Sequence, residues 1–204
     1  MELLVGTTNP GKRREIENYL AGLNVHILSP AECAAGIEIV EDGKTYEENA
    51  LKKARALAKL SRKLVLADDS GLEVEALAGA PGVHSARYAG EPPSDERNNE
   101  KLLKALAGVP RERRQARFVC VLALCAPPPH EREWLIRGEC AGMIEFAPRG
   151  RQGFGYDPLF YYPPLGKTFA ELELSTKSQV SHRGQALRKL RALLLEVFKR
   201  ELNC

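Results

Sequence analysis

The sequence predicts an α/β protein built on a mixed β-sheet with helices packed against it. Three observations carry this reading. The first half alternates short apolar runs with stretches of helical period. The middle holds ARFVCVLALCA (116–126), apolar on both faces and so a central strand. A proline-rich turn then leads to REWLIRGECAGMIEF (132–146), which alternates as an antiparallel partner would. Parallel units followed by a long antiparallel pair make the sheet mixed.

ELLVG (2–6) opens the chain as a strand, and Asn9-Pro10 then supplies an N-cap followed by proline at the first helical position. VHIL (25–28) reads as a second strand. From Thr45 to Leu60, Tyr46, Ala50, Leu51, Ala54, Leu57 and Ala58 recur at helical spacing. KLVLA (63–67) is a buried-type strand ending in Asp68-Asp69, and Ser94 caps a helix running to about Ala107, closed by Gly108 and Pro110. After the strand pair, RGRQGFGYDPLF leads to a long final helix from about His182, with Ala186, Leu187, Leu190, Leu193, Leu194, Val197 and Phe198 on its apolar face. No repeat, low-complexity tail or clear linker interrupts residues 1–204, which are expected to form a single domain or two small lobes.

Composition bounds the function. Apolar residues at 44% and charged residues at 28% are ordinary for a globular protein. The net charge of +3 does not by itself predict nucleic-acid binding, though it suits small polyanions. No apolar run approaches a membrane span, and the N-terminus enters a strand without a signal-peptide profile. The cysteines (Cys33, Cys120, Cys125, Cys140, Cys204) are odd in number and form no C-x-x-C pair, which suits a reducing cytoplasm.

The chemistry begins at LLVGTTNPGKRRE (3–15), which lies one residue from a P-loop. Gly6, Gly11 and Lys12 fit G-x-x-x-x-G-K-[ST], but Arg13 replaces the metal-binding hydroxyl and Pro10 removes one N–H from the phosphate wrap. What remains still suits phosphate: polar Thr7, Thr8 and Asn9, a helix N-terminus, and Lys12 at the same end. Lysine in a first turn opposes the helix dipole unless an anion is near. Asp68-Asp69-Ser70 follows a strand, where open sheets place their ligands, and with Glu41 forms a carboxylate set able to hold a hard cation. Both acidic stretches are also ordinary turn sequences.

Downstream, GFGYDP (153–158) sets Phe154 and Tyr156 among glycines, either as a stacking platform with Asp157 as acceptor or as two core aromatics at a turn. In SHRGQAL (181–187), Ser181 caps the last helix. Arg183 in its first turn requires an acceptor, either a carboxylate or a ligand carbonyl. Lys177 is expected on the preceding loop. His26 and His84 are expected to be structural and His130 exposed, and no zinc-type spacing occurs.

TTNPGK, EENALKKA, ADDSGLEVEALAGAPGVHSARYAG, GFGYDPLF and SHRGQAL, in that order from residue 7 to 187, resemble the motifs of the inosine triphosphate pyrophosphatase family. The resemblance implies an elongated mixed sheet in two lobes around a central active-site cleft, usually as a homodimer. It implies hydrolysis of non-standard purine nucleoside triphosphates (ITP, dITP, XTP) to monophosphate and pyrophosphate, by magnesium-assisted attack of water at the α-phosphate. Residue by residue, it implies triphosphate contacts from Thr7, Thr8, Asn9, Pro10, Gly11 and Lys12, with Lys53 and Arg87. Glu41 and Asp69, with Asp68 beside them, are implied for Mg2+, Asp69 also as general base, and Ser70 as a substrate contact. The nucleoside pocket falls to Phe154, Gly155, Tyr156, Asp157, Lys177, His182 and Arg183. Neither nucleic acid nor membrane is expected as a partner. The competing reading is a P-loop-like NTPase that releases inorganic phosphate.

Overall fold

The computed structural model describes residues 1–33, 39–129 and 132–201, without the side chains of 197–201. The expectations for His130 and Cys204 lie outside these described residues, and those for Val197 and Phe198 concern side chains that are not described. The fold is mixed α/β, with a seven-stranded open sheet in the order β2-β1-β3-β4-β5-β6-β7. The strands are β1 (Glu2–Gly6), β2 (His26–Leu28), β3 (Leu64–Val74), β4 (Gln115–Cys125), β5 (Glu133–Ile144), β6 (Phe160–Tyr162) and β7 (Lys167–Thr168). The helices are α1 (Pro10–Leu20), α2 (Pro30–Cys33), α3 (Tyr46–Ser61), α4 (Asp95–Ala105), α5 (Leu174–Val180) and α6 (His182–Glu201). β1 pairs in parallel with β2 and β3, while β5–β6 and β6–β7 are antiparallel.

Local chemistry sets the element ends. The Asn9 side chain accepts a hydrogen bond from Lys12 N at 3.0 Å to cap α1, and Thr45 caps α3 by accepting from Glu48 N at 3.1 Å. α3 stops at Arg62, whose left-handed backbone turns its N–H back onto Ala58 O. Ser94 caps α4 as expected.

The chain divides into two compact units: residues 1–69, 120–138 and 183–204 in one, 70–119 and 139–182 in the other. In the first, Leu3, Val5, Ile16, Leu66, Leu122, Leu187 and Leu190 form the core. In the second, Leu72, Leu102, Phe118, Phe160 and Phe169 do so, with the Phe118, Phe160 and Phe169 rings in mutual contact.

Two expectations are corrected. β3 does not end at Asp68-Asp69 but runs on to Val74, so the acidic pair lies inside a strand. A turn was favoured by Asp, Ser and Gly in sequence; the side-chain partners of the two aspartates, described below, make the strand tenable. His26 and His84 are exposed rather than structural. Among the described residues, no helix is long and apolar enough to cross a membrane.

Candidate active site

In the first unit, the pleat of β3 sends Asp68 and Asp69 to opposite faces. Asp68 is buried among cations: Arg183 Nε donates to its Oδ2 at 2.9 Å, Lys12 Nζ donates to its Oδ1, and Cys120 Sγ lies 3.2 Å from Oδ2. Burial pushes the Asp68 carboxyl up, but the charges of Arg183 and Lys12 and their hydrogen bonds outweigh it and hold the group well below the ordinary range. Arg183, 2% exposed, also donates from Nη1 to Glu15 Oε2 at 2.8 Å. Glu15 lies beside Ile16 on the buried stripe of α1, so helix periodicity carries a carboxylate inward to meet this arginine.

Asp69 meets a different set. Asn49 Nδ2 donates to its Oδ2 at 3.1 Å, and Lys53 Nζ lies 3.9 Å from its Oδ1. The same ammonium reaches Glu41 Oε2 at 3.2 Å and donates to Asp68 O at 2.7 Å. Asn49 and Lys53 stand one helical turn apart on the otherwise apolar face of α3, with Ala50, Ala54 and Leu57. Asn49 also accepts from Gly43 N at 2.8 Å, and a Cβ on Gly43 would stand 2.6 Å from Asn49 Oδ1. Burial raises the Asp69 carboxyl, the charges of Lys53 and Lys12 draw it down, and the balance is about 6. The group is thus an acceptor with proton affinity close to neutral pH.

This geometry separates residues that the sequence grouped. Asp68 and Asp69 do not present their carboxylates to one ion; Glu41 and Asp69 do converge, on the Lys53 ammonium. Among the described residues no group of three or more His, Cys, Asp or Glu converges as a metal site. Two carboxylates around one cationic point nevertheless match magnesium, which takes one or two carboxylates and completes its shell with water and phosphate. Thr7 to Lys12 span the junction from β1 to α1, where Thr7 Oγ1 accepts from Asn9 N at 3.2 Å and Thr8 and Pro10 are exposed.

The remaining expected residues lie in the second unit. Lys177 is not on a loop but on α5, where its Nζ donates to Asp157 Oδ2 at 2.6 Å and sits 4.7 Å from the centre of the Phe154 ring. Asp157 Oδ2 also accepts from Phe154 N at 2.9 Å, closing a tight loop. Gly153, at φ +78°, makes that closure possible, because a Cβ there would lie 2.0 Å from Asp157 Oδ2. Phe154 is half-buried. Tyr156, for which the sequence left a stacking face and a core position open, is 4% exposed, its hydroxyl donating to Ser85 O at 2.8 Å, so its ring belongs to the core. His182 is buried with its ring stacked on Phe118 at 4.6 Å. Arg87 closes a 3-10 turn (Gly82–Arg87), and Ser70 is half-buried on β3.

Sequence reading missed Asn49, Glu15 and Cys120. The first two carry a legible signal, a polar residue in register with an apolar helical stripe. Cys120 carries none, because a thiol in an apolar strand reads as core.

The chain matches the Ham1 family over residues 3–193. It is 53% identical over 197 residues to the dITP/XTP pyrophosphatase of Syntrophobacter fumaroxidans, covering 97% of this chain and 83% of that protein. It is 48% identical over 198 residues to the protein of that name from Desulforamulus reducens, covering 97% and 98%. The solved structure of the Staphylococcus aureus Ham1 protein superposes with a TM-score of 0.86 at 42% identity, covering 96% of this chain and 99% of that one. A HAM1 protein from Coxiella burnetii gives 0.88 at 40%, with the same coverage.

Proposed function

The chain belongs to the Ham1 family, and from that premise we propose that it hydrolyses purine nucleoside triphosphates with altered bases, dITP, ITP and XTP, to the monophosphate and pyrophosphate. The observation that carries the reading is the convergence of Glu41 and Asp69 on Lys53, with Asp69 poised near neutral pH. Asp69 accepts the proton of the attacking water; the water oxygen bonds to the α-phosphorus as the bond to the bridging oxygen breaks, and pyrophosphate leaves. In the cation-free protein its proton affinity exceeds that of an ordinary carboxylate; with Mg2+ held beside it, Asp69 would chiefly orient the water. Lys12 and the α1 N-terminus balance charge on the phosphates, with Lys53 and Arg87 as further cations. Glu41 and Asp69 would hold Mg2+, which when bound supplies Lewis-acid stabilisation of phosphate charge and a more acidic water.

For the base, the half-buried Phe154 offers a stacking face and Lys177 a donor beside it. An ammonium donates to a 6-oxo group but has nothing to accept from the 6-amino group of adenine, and an unpaired charged donor is disfavoured by about 1–3 kcal/mol or more. Arg183, an alternative donor in sequence, has its Nε and Nη1 taken by Asp68 and Glu15, so its role is to lock Asp68 in place. A cytoplasmic homodimer belongs to the same proposal; the free thiols of Cys33, Cys120, Cys125 and Cys140 agree with a reducing compartment, and light scattering tests the dimer.

The test is phosphate release from dITP, ITP, XTP, GTP and ATP with magnesium, with and without added inorganic pyrophosphatase. Phosphate that appears only with the coupling enzyme, and mainly from the altered purines, is the expected result. Free phosphate from ATP or GTP without it returns the P-loop reading.

A further inference from the structure

We propose that α4, which lies outside every motif discussed so far, is the positioning element of the base site, acting through Asp95 and Asn99 on the backbone of Gly155. The inference rests on the reading of residues 154–157 as the base-binding loop.

Both polar groups of Gly155 are held by this one helix. Asp95 Oδ2 accepts from Gly155 N at 2.6 Å, and Asn99 Nδ2 donates to Gly155 O at 2.9 Å. Asp95 and Asn99 are four residues apart and therefore project from the same face of α4. Gly155 sits at φ +62°, in the left-handed region, so its two peptide groups diverge from an extended path and need separate partners. The amide of Asn99 faces two carbonyl oxygens, which fixes its orientation. Nδ2 serves Gly155 O and Asp95 O, both at 2.9 Å, while Oδ1 is buried with no hydrogen bond among the described residues. Only the NH2 end can serve two carbonyls, so the clamp is built with the acceptor left over.

The helix is a fixed reference. Asn98, 2% exposed, accepts from Ala89 N at 2.7 Å and donates to Ala86 O at 2.9 Å, and Leu102 and Leu106 anchor the following turns in the core. Downstream of Gly155 the loop is tied again, by Tyr156 to Ser85 O and by Lys177 to Asp157. Gly155 is thus the point at which the segment carrying Phe154 is referred to α4. Releasing it leaves the carboxylate cluster around Asp69 untouched and loosens only the position of Phe154 against a base.

The experiment compares wild type, Asp95→Ala, Asp95→Asn, Asn99→Ala and the double alanine variant in dITP hydrolysis, with inorganic tripolyphosphate as a base-free competitive inhibitor. The expected result is a rise in KM for dITP of about three- to tenfold in each alanine variant, the range that one net hydrogen bond of about 0.5–1.5 kcal/mol allows. Turnover number and tripolyphosphate inhibition stay within twofold of wild type. Asp95→Asn, whose amide oxygen still accepts from Gly155 N, restores the wild-type KM. An unchanged KM in the double variant overturns the inference, and so does a KM rise matched by equal loss of tripolyphosphate inhibition or by loss of the folded circular-dichroism spectrum. Wild-type protein that releases no pyrophosphate from dITP overturns the functional reading, and with it the inference.

Discussion

Replacing Asp69 by asparagine separates the chemistry of that carboxyl from the stability lost in burying it. The group is 6% exposed and its proton affinity has risen from 3.8 to about 6. At about 1.4 kcal/mol for each tenfold change, ionising it in the folded protein at pH 7 costs about 3 kcal/mol relative to the unfolded chain. Asparagine keeps the shape and an acceptor for Asn49 Nδ2 but carries no charge. Allowing for the amide's own burial, Asp69→Asn stabilises the cation-free protein by about 1–3 kcal/mol at pH 7, or roughly 2–12 °C in midpoint for a chain of this size. The pH dependence has a fixed sign. Because folding raises the proton affinity, the stabilisation that protonation brings wild type is complete below about pH 4 and is lost as pH rises through about 6. The advantage of the variant is therefore largest above pH 6 and vanishes near pH 4. Urea denaturation in EDTA across this range measures it, beside a turnover assay in which the variant is inactive. A variant less stable than wild type at pH 7, or an advantage that grows on acidification, refutes the reasoning; near-normal turnover refutes the role of Asp69 as base.

Other perturbations follow from the same contacts. Asp68→Asn leaves Arg183 and Lys12 without their shared counter-charge in a buried setting and destabilises by about 3–5 kcal/mol, read as a lower urea midpoint at constant slope. Gly43→Ala drives a methyl against Asn49 and shifts the group that holds Asp69, so turnover falls while affinity for tripolyphosphate is kept. Gly153→Ala combines a left-handed backbone with a clash on Asp157 and raises KM for dITP at least tenfold, whereas an unchanged KM removes the loop from the base site. Burial pushes the Cys120 thiol well up, with the Asp68 charge adding to it, so Cys120 resists a thiol reagent in native protein at pH 8 and reacts on unfolding; mass mapping of labelled peptides shows the difference.

The long elements and their caps were legible because each rests on a local rule: the Asn9 and Thr45 caps, the period of α3 and α6, the two-sided apolar run of β4. β6, β7 and α5 were not, since strands of three and two residues and a seven-residue helix are held by tertiary partners rather than by pattern. Within the site, residue types were legible but pairings were not. Arg183 demanded an acceptor in sequence, and only the fold says that Asp68 and Glu15, 115 and 168 positions away, supply it. Tyr156 shows the converse case: its sequence left a ligand platform and a core aromatic both open, and the ring lies in the core.

The opposed faces of Asp68 and Asp69 make their roles a matter of register. Two neighbouring codons specify the same amino acid, yet the fold holds one residue as a buried counter-ion and raises the proton affinity of the other, according to the side of β3 that each occupies. A one-residue insertion or deletion between Leu64 and Asp68 would turn each aspartate to the opposite face and carry it one step along the strand, whereas a two-residue change would preserve facing but carry both about 6–7 Å from their partners. Each role thus depends on the length of this half of β3 as much as on the residue type.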